Sequence, residues 1–163
     1  MAVFSLARPI ESSHTDVVDE IELRQATTAD SDFAYRVKKL AFGSYVEQVW
    51  GWDEDEQRRL HEKRFASQQF RVIEWSDTDV GIIAAVREDD GLKINQLFVL
   101  PEYQGKGIGR ACMKRIIDEA VASKSPIRLR VLKINFRAMA FFERLGFNRI
   151  GETDTHILME SLP

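Results

Sequence analysis

The chain has 163 residues, of which 44% are hydrophobic and 30% charged, a balance typical of one globular domain and unlike a disordered or collagen-like chain. Its single cysteine, Cys112, excludes an internal disulfide, and no run of about 18 apolar residues exists that would span a membrane. The net charge of −3 and the lack of a nucleic-acid-binding signature argue against nucleic acid as a partner. No basic stretch precedes the short apolar run at the N-terminus, so we expect a cytoplasmic protein without a signal peptide.

The first half of the chain predicts a tail, a strand, two helices and three strands. Residues 1–19 show no sustained periodicity, so we expect a tail that is disordered or folds over a neighbouring element. Alternating apolar and polar residues predict a strand at 20–25, and apolar residues at helical spacing then predict a helix that Gly51 ends. Asp53 is expected to cap a second helix, which runs to about Ala66. Three β-rich runs separated by turn residues predict an antiparallel meander at 70–75, 80–86 and 92–99.

The second half predicts a helix, a strand, a short helix and a final hairpin, at residues 109–124, 127–132, 135–145, 147–150 and 156–162. A strand, a helix of about 15 residues and another strand form the crossover unit that requires parallel pairing. The whole order predicts an α/β fold, in which a mixed sheet of about seven strands carries helices on both faces. We expect it to form one domain over residues 20–163.

A chemically informative stretch runs from Leu97 to Gly109, where a strand enters a glycine-rich turn that opens a helix. Glycines let backbone N–H groups approach an anion closely, and the helix N-terminus adds its dipole, so the geometry suits a phosphate or pyrophosphate. No segment has the P-loop pattern, and the dinucleotide fingerprint of oxidoreductases is disfavoured because Arg110 stands where its third glycine belongs. The spacing that fits is Gln-x-x-Gly-x-Gly, filled by Gln104, Gly107 and Gly109.

This stretch resembles the acetyl-CoA loop of the GNAT family of N-acetyltransferases. A second stretch, from Asn135 to Phe147, is similar to that family's Asn-x-x-Ala-x-x-Phe-Tyr-Glu-x-x-Gly-Phe helix. The resemblance covers about residues 20–162 and implies a GNAT-like fold with acetyl-CoA (coenzyme A) as cofactor, its pantetheine arm along a splayed strand and its pyrophosphate on the loop. The cofactor-binding residues that it implies are Leu97, Phe98, Val99, Gln104, Gly105, Lys106, Gly107, Ile108, Gly109, Arg110, Asn135, Ala138 and Phe142.

The resemblance also implies a reaction, the transfer of an acetyl group to a primary amine of a small molecule or peptide by direct attack on the thioester. The oxyanion donor would be the backbone N–H of Phe98 or Val99 on the splayed strand. His156 is the preferred base because an ordinary histidine titrates near pH 6.5, and Glu102 is a second candidate. The competing interpretation of His156 is a partly exposed strand histidine that bonds the neighbouring Thr155 or the backbone. Phe142 stands where the family usually has Tyr, the proton donor to the thiolate. Either another group replaces it, or the thiolate leaves unassisted, or the chain is a CoA-binding sensor or interaction module with little turnover.

The acceptor side is indicated by aromatic and acidic residues between the first two helices: Tyr45, Glu47, Trp50 and Trp52. They would hold an ammonium by cation–π contact and ion pairing, whereas the competing interpretation makes the tryptophans core residues and the acids helix-terminus residues. Charge is also uneven, because residues 104–149 hold eleven Lys and Arg but three acids. This distribution indicates an anionic ligand on one side and a cationic one on the other, or salt bridges between the two halves.

The remaining candidate groups predict little chemistry. His14 and His61 are expected at the surface, and three scattered histidines with one cysteine give no metal site. At the level of family resemblance, the exposed edge of the final hairpin would allow a homodimer.

Overall fold

The computed structural model describes residues 20–163, and within that range it contains seven strands and four helices. The strands are β1 (Ile21–Gln25), β2 (Gln69–Trp75), β3 (Thr78–Glu88), β4 (Gly91–Val99), β5 (Ile127–Leu132), β6 (Asn148–Glu152) and β7 (His156–Ser161). The helices are α1 (Ser31–Trp50), α2 (Glu54–Ser67), α3 (Ile108–Ala122) and α4 (Phe136–Arg144). The predicted order of elements is confirmed, whereas the tail predicted at residues 1–19 lies outside the described residues.

The strands of residues 20–163 form one mixed sheet in the order β1-β2-β3-β4-β5-β7-β6. Neighbouring strands are antiparallel except β4 and β5, which are parallel because α3 carries the chain back over the sheet between them. The predicted meander of β2, β3 and β4 and the predicted crossover are therefore confirmed. Along the described part of the chain, no helix is long and apolar enough to cross a membrane.

Helices cover both faces of the sheet, as successive residues of a central strand show. Ile83 belongs to the apolar cluster that α3 and α4 complete, to which they contribute Met113 and Phe142 among others. Ile82, the preceding residue of β3, belongs to the cluster on the opposite face, to which α1 contributes Val37. Because side chains alternate along a strand, each face of the sheet is buried under its own helices, which confirms the predicted α/β class.

His61 is buried and not at the surface, so that prediction is wrong. It is 4% exposed on α2 and packs beside the rings of Tyr35 (5.6 Å between centroids), Phe65 (5.5 Å) and Phe70 (6.2 Å). Its Nε2 lies 3.0 Å from the Ser31 carbonyl oxygen, and burial lowers its pKa. The charged sequence of α2 contains few apolar residues, and His61 fills part of the face that packs against α1.

Candidate active site

The parallel strands β4 and β5 separate part-way along their length. Their pairing ends where Ile94 lies opposite Leu129, although both strands continue beyond that point. A bulge at the same level leaves Asn95 of β4 without an opposite residue on β3, and bulges increase the local twist of a strand. The two strands therefore diverge and open a cleft of about 1460 Å³.

The backbone of β4 beyond the bulge presents alternate residues to this cleft. The Leu100 N–H donates to the Val80 carbonyl of β3 at 2.8 Å, and along an antiparallel strand the direction of the backbone groups alternates from residue to residue. Leu97 and Val99 therefore direct their N–H groups into the cleft. The Phe98 N–H points toward β3 instead, so of the two expected oxyanion donors the structure places only Val99 at the cleft.

The glycine-rich loop lies at the end of the cleft where α3 begins. Gly105 and Gly107 have φ angles of +76° and +84°, and no other described residue comes within 4 Å of where a Cβ would stand at either position. The first hydrogen bond of α3 runs from the Ala111 N–H to the Gly107 carbonyl at 3.0 Å. The N–H groups of the preceding turn therefore have no partner inside the helix. Gln104 fastens the loop to β4, since its Nε2 donates to the Val99 carbonyl at 2.9 Å.

Helix α4 forms the opposite wall of this end of the cleft. The Asn135 Oδ1 accepts a hydrogen bond from the Ala138 N–H at 3.1 Å and caps the helix, so only its amide nitrogen is left for a ligand. Lys106 is exposed and does not line the cleft. The other predicted cofactor-binding residues do line it: Leu97, Phe98, Val99, Gln104, Gly105, Gly107, Ile108, Gly109, Arg110, Asn135, Ala138 and Phe142.

His156 lies at the start of β7 and lines the cleft beside Trp50, with 6.0 Å between the ring centroids. Its Nδ1 is 2.8 Å from the Thr155 Oγ1, which is the contact that the competing interpretation expects, and this contact fixes the orientation of the ring. Burial, and after it the charge of Arg130, lowers the pKa of His156, so the imidazole is neutral at pH 7. Glu102, the second candidate base, is exposed and does not line the cleft.

The structure divides the four predicted acceptor residues into two pairs. Tyr45 and Trp50 line the cleft, and Trp50 is 58% exposed, so it is not a core residue. Glu47 is exposed on α1 and does not line the cleft. Trp52 also lies outside the cleft lining, with its ring against α1, where a Cβ on Gly43 would lie 3.5 Å from it.

The acidic start of α2 is engaged by contacts within the protein. Glu54 accepts hydrogen bonds from Lys39 Nζ (2.8 Å), Trp52 Nε1 (2.8 Å) and Tyr35 Oη (2.9 Å), which lower its pKa to about 2. Lys39 also lies 5.8 Å from the centroid of the Trp52 ring. The cation attracted by this aromatic and acidic group is therefore a side chain of the protein itself.

Comparison with known proteins agrees with this geometry. The model of the acetyltransferase (GNAT) family matches residues 34–147, which is most of the chain. The chain belongs to the GNAT acetyltransferase family. The fold is similar to that of PaiA N-acetyltransferase from Thermoplasma acidophilum, solved in complex with coenzyme A, with a TM-score of 0.73 and 16% identity over 88% of this chain and 99% of that one.

Two relatives are more similar in sequence over shorter stretches. N-acetylaspartate synthetase of Danio rerio is 37% identical over 82 residues, which are 48% of this chain and 29% of the relative. The [ribosomal protein bS18]-alanine N-acetyltransferase of Escherichia coli K12 is 37% identical over 94 residues, 53% of this chain and 63% of the relative. The chain thus spans less than two thirds of the length of these curated relatives.

The residues of this GNAT cleft fit the cofactor that the family resemblance implies. The free N–H groups at the start of α3 and the open space over Gly105 and Gly107 suit a pyrophosphate, and the inward N–H groups of Leu97 and Val99 suit the amides of an extended arm. Cationic side chains line the same end of the cleft: Arg110, Arg137 and Arg144.

Several polar residues that line this GNAT cleft were not predicted from the sequence. Lys38, Arg64, Gln96 and Arg130 all line the cleft, and Lys38 and Gln96 are 4% and 6% exposed. One signal was available, because Lys38 follows Val37 on the apolar face of α1, where a charged residue is unexpected. Arg64 and Arg130 carried no such signal, since charged residues on a helix or a strand face are usually paired or solvated.

Proposed function

We propose that this chain is an acetyl-CoA-dependent N-acetyltransferase that transfers an acetyl group to a primary amine of a small molecule or peptide by direct attack on the thioester. The observation that supports it is the end of β4–β5 pairing at Ile94 and Leu129, beside a glycine-rich loop that leads into the first turn of α3, where the N–H groups have no partner inside the helix. A cytoplasmic location, predicted from the sequence, belongs to the same proposal.

Bound acetyl-CoA supplies an activated acetyl group in the form of a thioester. The protein's part is to hold and orient it. The loop N–H groups and Arg110 bind phosphate oxygens, and Leu97 orients the extended arm along β4. The Val99 N–H would donate to the carbonyl oxygen of the thioester and stabilise negative charge there.

The attacking amine must lose a proton, and His156 is the group assigned to accept it. A free alkyl ammonium has a pKa near 10.4, so deprotonation at pH 7 costs about 4–5 kcal/mol. The neutral imidazole lies on the acceptor side of the cleft beside Trp50, and its contact with Thr155 at Nδ1 leaves Nε2 for the proton, taken directly or through water.

A second candidate function, a CoA-binding sensor or interaction module with little turnover, is favoured by one observation. The Phe142 ring lines the cleft where the family usually has a Tyr, and it has no proton to donate to a leaving thiolate. A thiolate is a weak base and leaves more readily than an alkoxide, which is the reason that we place the enzyme first.

The first experiment is thermal unfolding with acetyl-CoA and with CoA, using ATP and NAD as controls. Ligand at 100 times its dissociation constant adds about 2.7 kcal/mol, which raises Tm by roughly 5–10 °C in a domain of this size. A rise with acetyl-CoA and CoA but not with the controls supports the site. No rise at millimolar ligand contradicts both candidate functions.

The second experiment separates the enzyme from the binding module. CoA release from acetyl-CoA is followed with a panel of primary amines that includes aspartate, which the name of one relative indicates, and a peptide with an N-terminal alanine, which the name of the other suggests. Release that depends on the amine supports the transferase. Binding of acetyl-CoA without release for any amine supports the sensor or interaction module.

A further inference from the structure

Three cationic side chains from three elements line the acceptor side of the cleft: Lys38 of α1, Arg64 of α2 and Arg130 of β5. They lie on the sheet face that α1 and α2 cover. For Arg130 this follows from strand alternation, because its neighbours Leu129 and Val131 belong to the apolar cluster on the α3 face. The cations are therefore separate from those at the cofactor end, which come from α3 and α4.

Within residues 20–163 none of these three cations forms an ion pair with a carboxylate. The Lys38 ammonium donates one weak hydrogen bond, to Gln57 Oε1 at 3.3 Å. Burial, and after it Arg64, lowers the pKa of Lys38 to about 8, and burial and Arg130 lower that of Arg64. Arg64 is thus close enough to repel both Lys38 and Arg130.

The acids that share the cleft wall are engaged elsewhere. Asp53 Oδ1 accepts the Glu56 N–H at 2.9 Å and caps α2, and the Glu56 carboxylate pairs with Arg59 at 2.7 Å. Arg128, two residues before Arg130 on the same strand face, shows the contrast, because it forms ion pairs with Asp90 and Glu160 at 2.8 Å each. Among the three cleft cations the missing counterion is unusual at Lys38, which is 4% exposed, whereas Arg64 is half-buried and Arg130 is exposed.

Two amide oxygens add hydrogen-bond acceptors to the same wall. The Oε1 atoms of Gln68 and Gln96 are buried and have no hydrogen-bond partner in the described part of the chain. Both residues line the cleft, and Gln96 is on β4 between the bulge and Phe98. A molecule with N–H groups near a negative charge would satisfy both the amides and the cations.

We propose that the acceptor is a small amino acid whose carboxylate is bound by Lys38, Arg64 and Arg130, while its amine faces Gln96 and His156. This rests on the proposed function. Of the three cations only Lys38 is buried. A buried cation without a counterion is costly, and a ligand carboxylate would offset that cost with charge-assisted hydrogen bonds to Lys38 and to the two arginines. A polyamine would instead add to the positive charge, and a peptide N-terminus has no carboxylate beside its amine.

The first test compares matched acceptors in the CoA-release assay. We expect kcat/KM for aspartate or alanine to exceed that for alaninamide and for spermidine at least tenfold. Rates are compared per neutral amine, because the amine of alaninamide is less basic than that of alanine. The two acceptors then differ in the carboxylate alone, which isolates the proposed contact. Equal or better turnover of alaninamide, spermidine or a peptide N-terminus would overturn the carboxylate proposal and leave the transferase standing.

The second test uses Lys38→Met, Arg64→Gln and Arg130→Gln, with Lys63→Gln as the matched control, because Lys63 is exposed beside Arg64 and does not line the cleft. Each cleft variant should raise KM for the amino acid by roughly 10- to 100-fold and leave that for alaninamide unchanged. Equal losses for both acceptors would show a structural role and count against the proposal.

The third test measures binding at the proposed carboxylate site without turnover. In the presence of CoA, N-acetylaspartate or N-acetylalanine should raise the Tm of the unaltered protein and fail to raise that of Lys38→Met. The same variant should retain the Tm shift with acetyl-CoA, which shows that it folds and binds the cofactor. The proposal is overturned if these N-acetylated amino acids do not raise the Tm of the unaltered protein, or if they raise the Tm of Lys38→Met equally. This outcome counts even if no amine is ever acetylated.

Discussion

Phe142 is the residue at which this chain departs from the GNAT pattern. Its ring is 9% exposed and packs beside Phe141 (5.0 Å between centroids) and Phe147 (5.5 Å). A hydroxyl on this ring would restore a proton donor to the leaving thiolate. We expect Phe142→Tyr to raise kcat about tenfold or more, measured by CoA release, while Phe141→Tyr, the neighbouring ring of the same cleft, has no such effect. An unchanged kcat would mean that another group protonates the thiolate or that this step does not limit the rate.

His156 carries the pH dependence expected of the reaction. Its pKa lies below the ordinary value near 6.5, and only the neutral imidazole accepts a proton, so kcat/KM should rise with pH through that lowered pKa and then level off. His156→Gln should lower kcat by about 100-fold and remove this limb of the pH profile, while the acetyl-CoA-induced Tm shift is kept. A variant that keeps the limb would exclude His156 as the base.

At the scale of elements, the loop before α3 can be tested through its backbone conformation. Gly107→Glu puts a side chain and a negative charge where we expect the pyrophosphate, at a φ of +84° that also strains any L residue. Gly146→Glu is the matched control, because Gly146 has a φ of +92°, similar free space and no place in the cleft lining. We expect a loss of acetyl-CoA affinity of at least 100-fold for the first variant and none for the second, by thermal shift or calorimetry. Equal affinities would contradict the loop assignment.

The close approach of β3 to β4 beside the cleft depends on another glycine. A Cβ on Gly81 would lie 2.5 Å from the Phe98 carbonyl oxygen and 3.2 Å from the Val99 Cα. Gly81→Ala should therefore push the strands apart and lower the free energy of unfolding by about 1–3 kcal/mol in urea titrations. Gly151→Ala on β6, whose nearest neighbour is Leu158 Cδ1 at 3.5 Å, should change it by less than about 0.5 kcal/mol.

At the scale of the whole molecule, the Arg24 guanidinium ties together segments that are distant in sequence. It bonds both Asp30 oxygens (2.8 and 2.9 Å), Glu74 of β2 (2.7 Å) and Asp79 of β3 (3.1 Å). The hydrogen bond from Arg24 lowers the pKa of Asp30 to about 2. The pKa of Asp30 in the folded protein lies below its ordinary value, so the ion pair with Arg24 raises the free energy of unfolding above pH 4. This contribution is lost as the pH falls from about 4 to 2.

Asp30→Asn should therefore lower the free energy of unfolding by about 1–3 kcal/mol at pH 7, measured by urea titration. The difference from the unaltered protein should shrink as the pH approaches 2. Asp32→Asn, at an exposed position of α1, is the control and should have little effect. A difference that does not vary with pH would show that the ion pair is not its source.

Salt bridges account for some of the basic residues in 104–149, whereas the anionic and cationic ligands expected from the uneven charge stay predictions. Part of the basic stretch is paired, as in Arg128 with Glu160 and Lys133 with Glu152, both bridging elements at 2.8 Å. Other cations line the two ends of the cleft, and within residues 20–163 they form no ion pair with a carboxylate. The homodimer stays a prediction, and the exposed edge strand β6 is its candidate surface. Sedimentation velocity would measure whether the protein is a dimer in solution.

Most of the fold could be predicted from the sequence, because its signals are local. Period-2 and period-3.6 patterns defined the strands and helices, Asp53 and Asn135 marked helix starts, and the crossover required the parallel pair. The glycine-rich loop could also be predicted from the sequence. A left-handed backbone at Gly107 beside the start of a helix depends only on a short segment of the chain.

Only the tertiary structure decided which side chains meet at the acceptor side. His61 became a core residue, and Glu54 became a partner of Tyr35 and Lys39, because α1 and α2 pack against each other and the sheet, which no local pattern specifies. The same holds for the cations of the cleft. Whether a Lys or Arg finds a counterion depends on residues distant in sequence, so Arg128 and Arg130 look alike in the sequence of β5 and differ only in the folded chain.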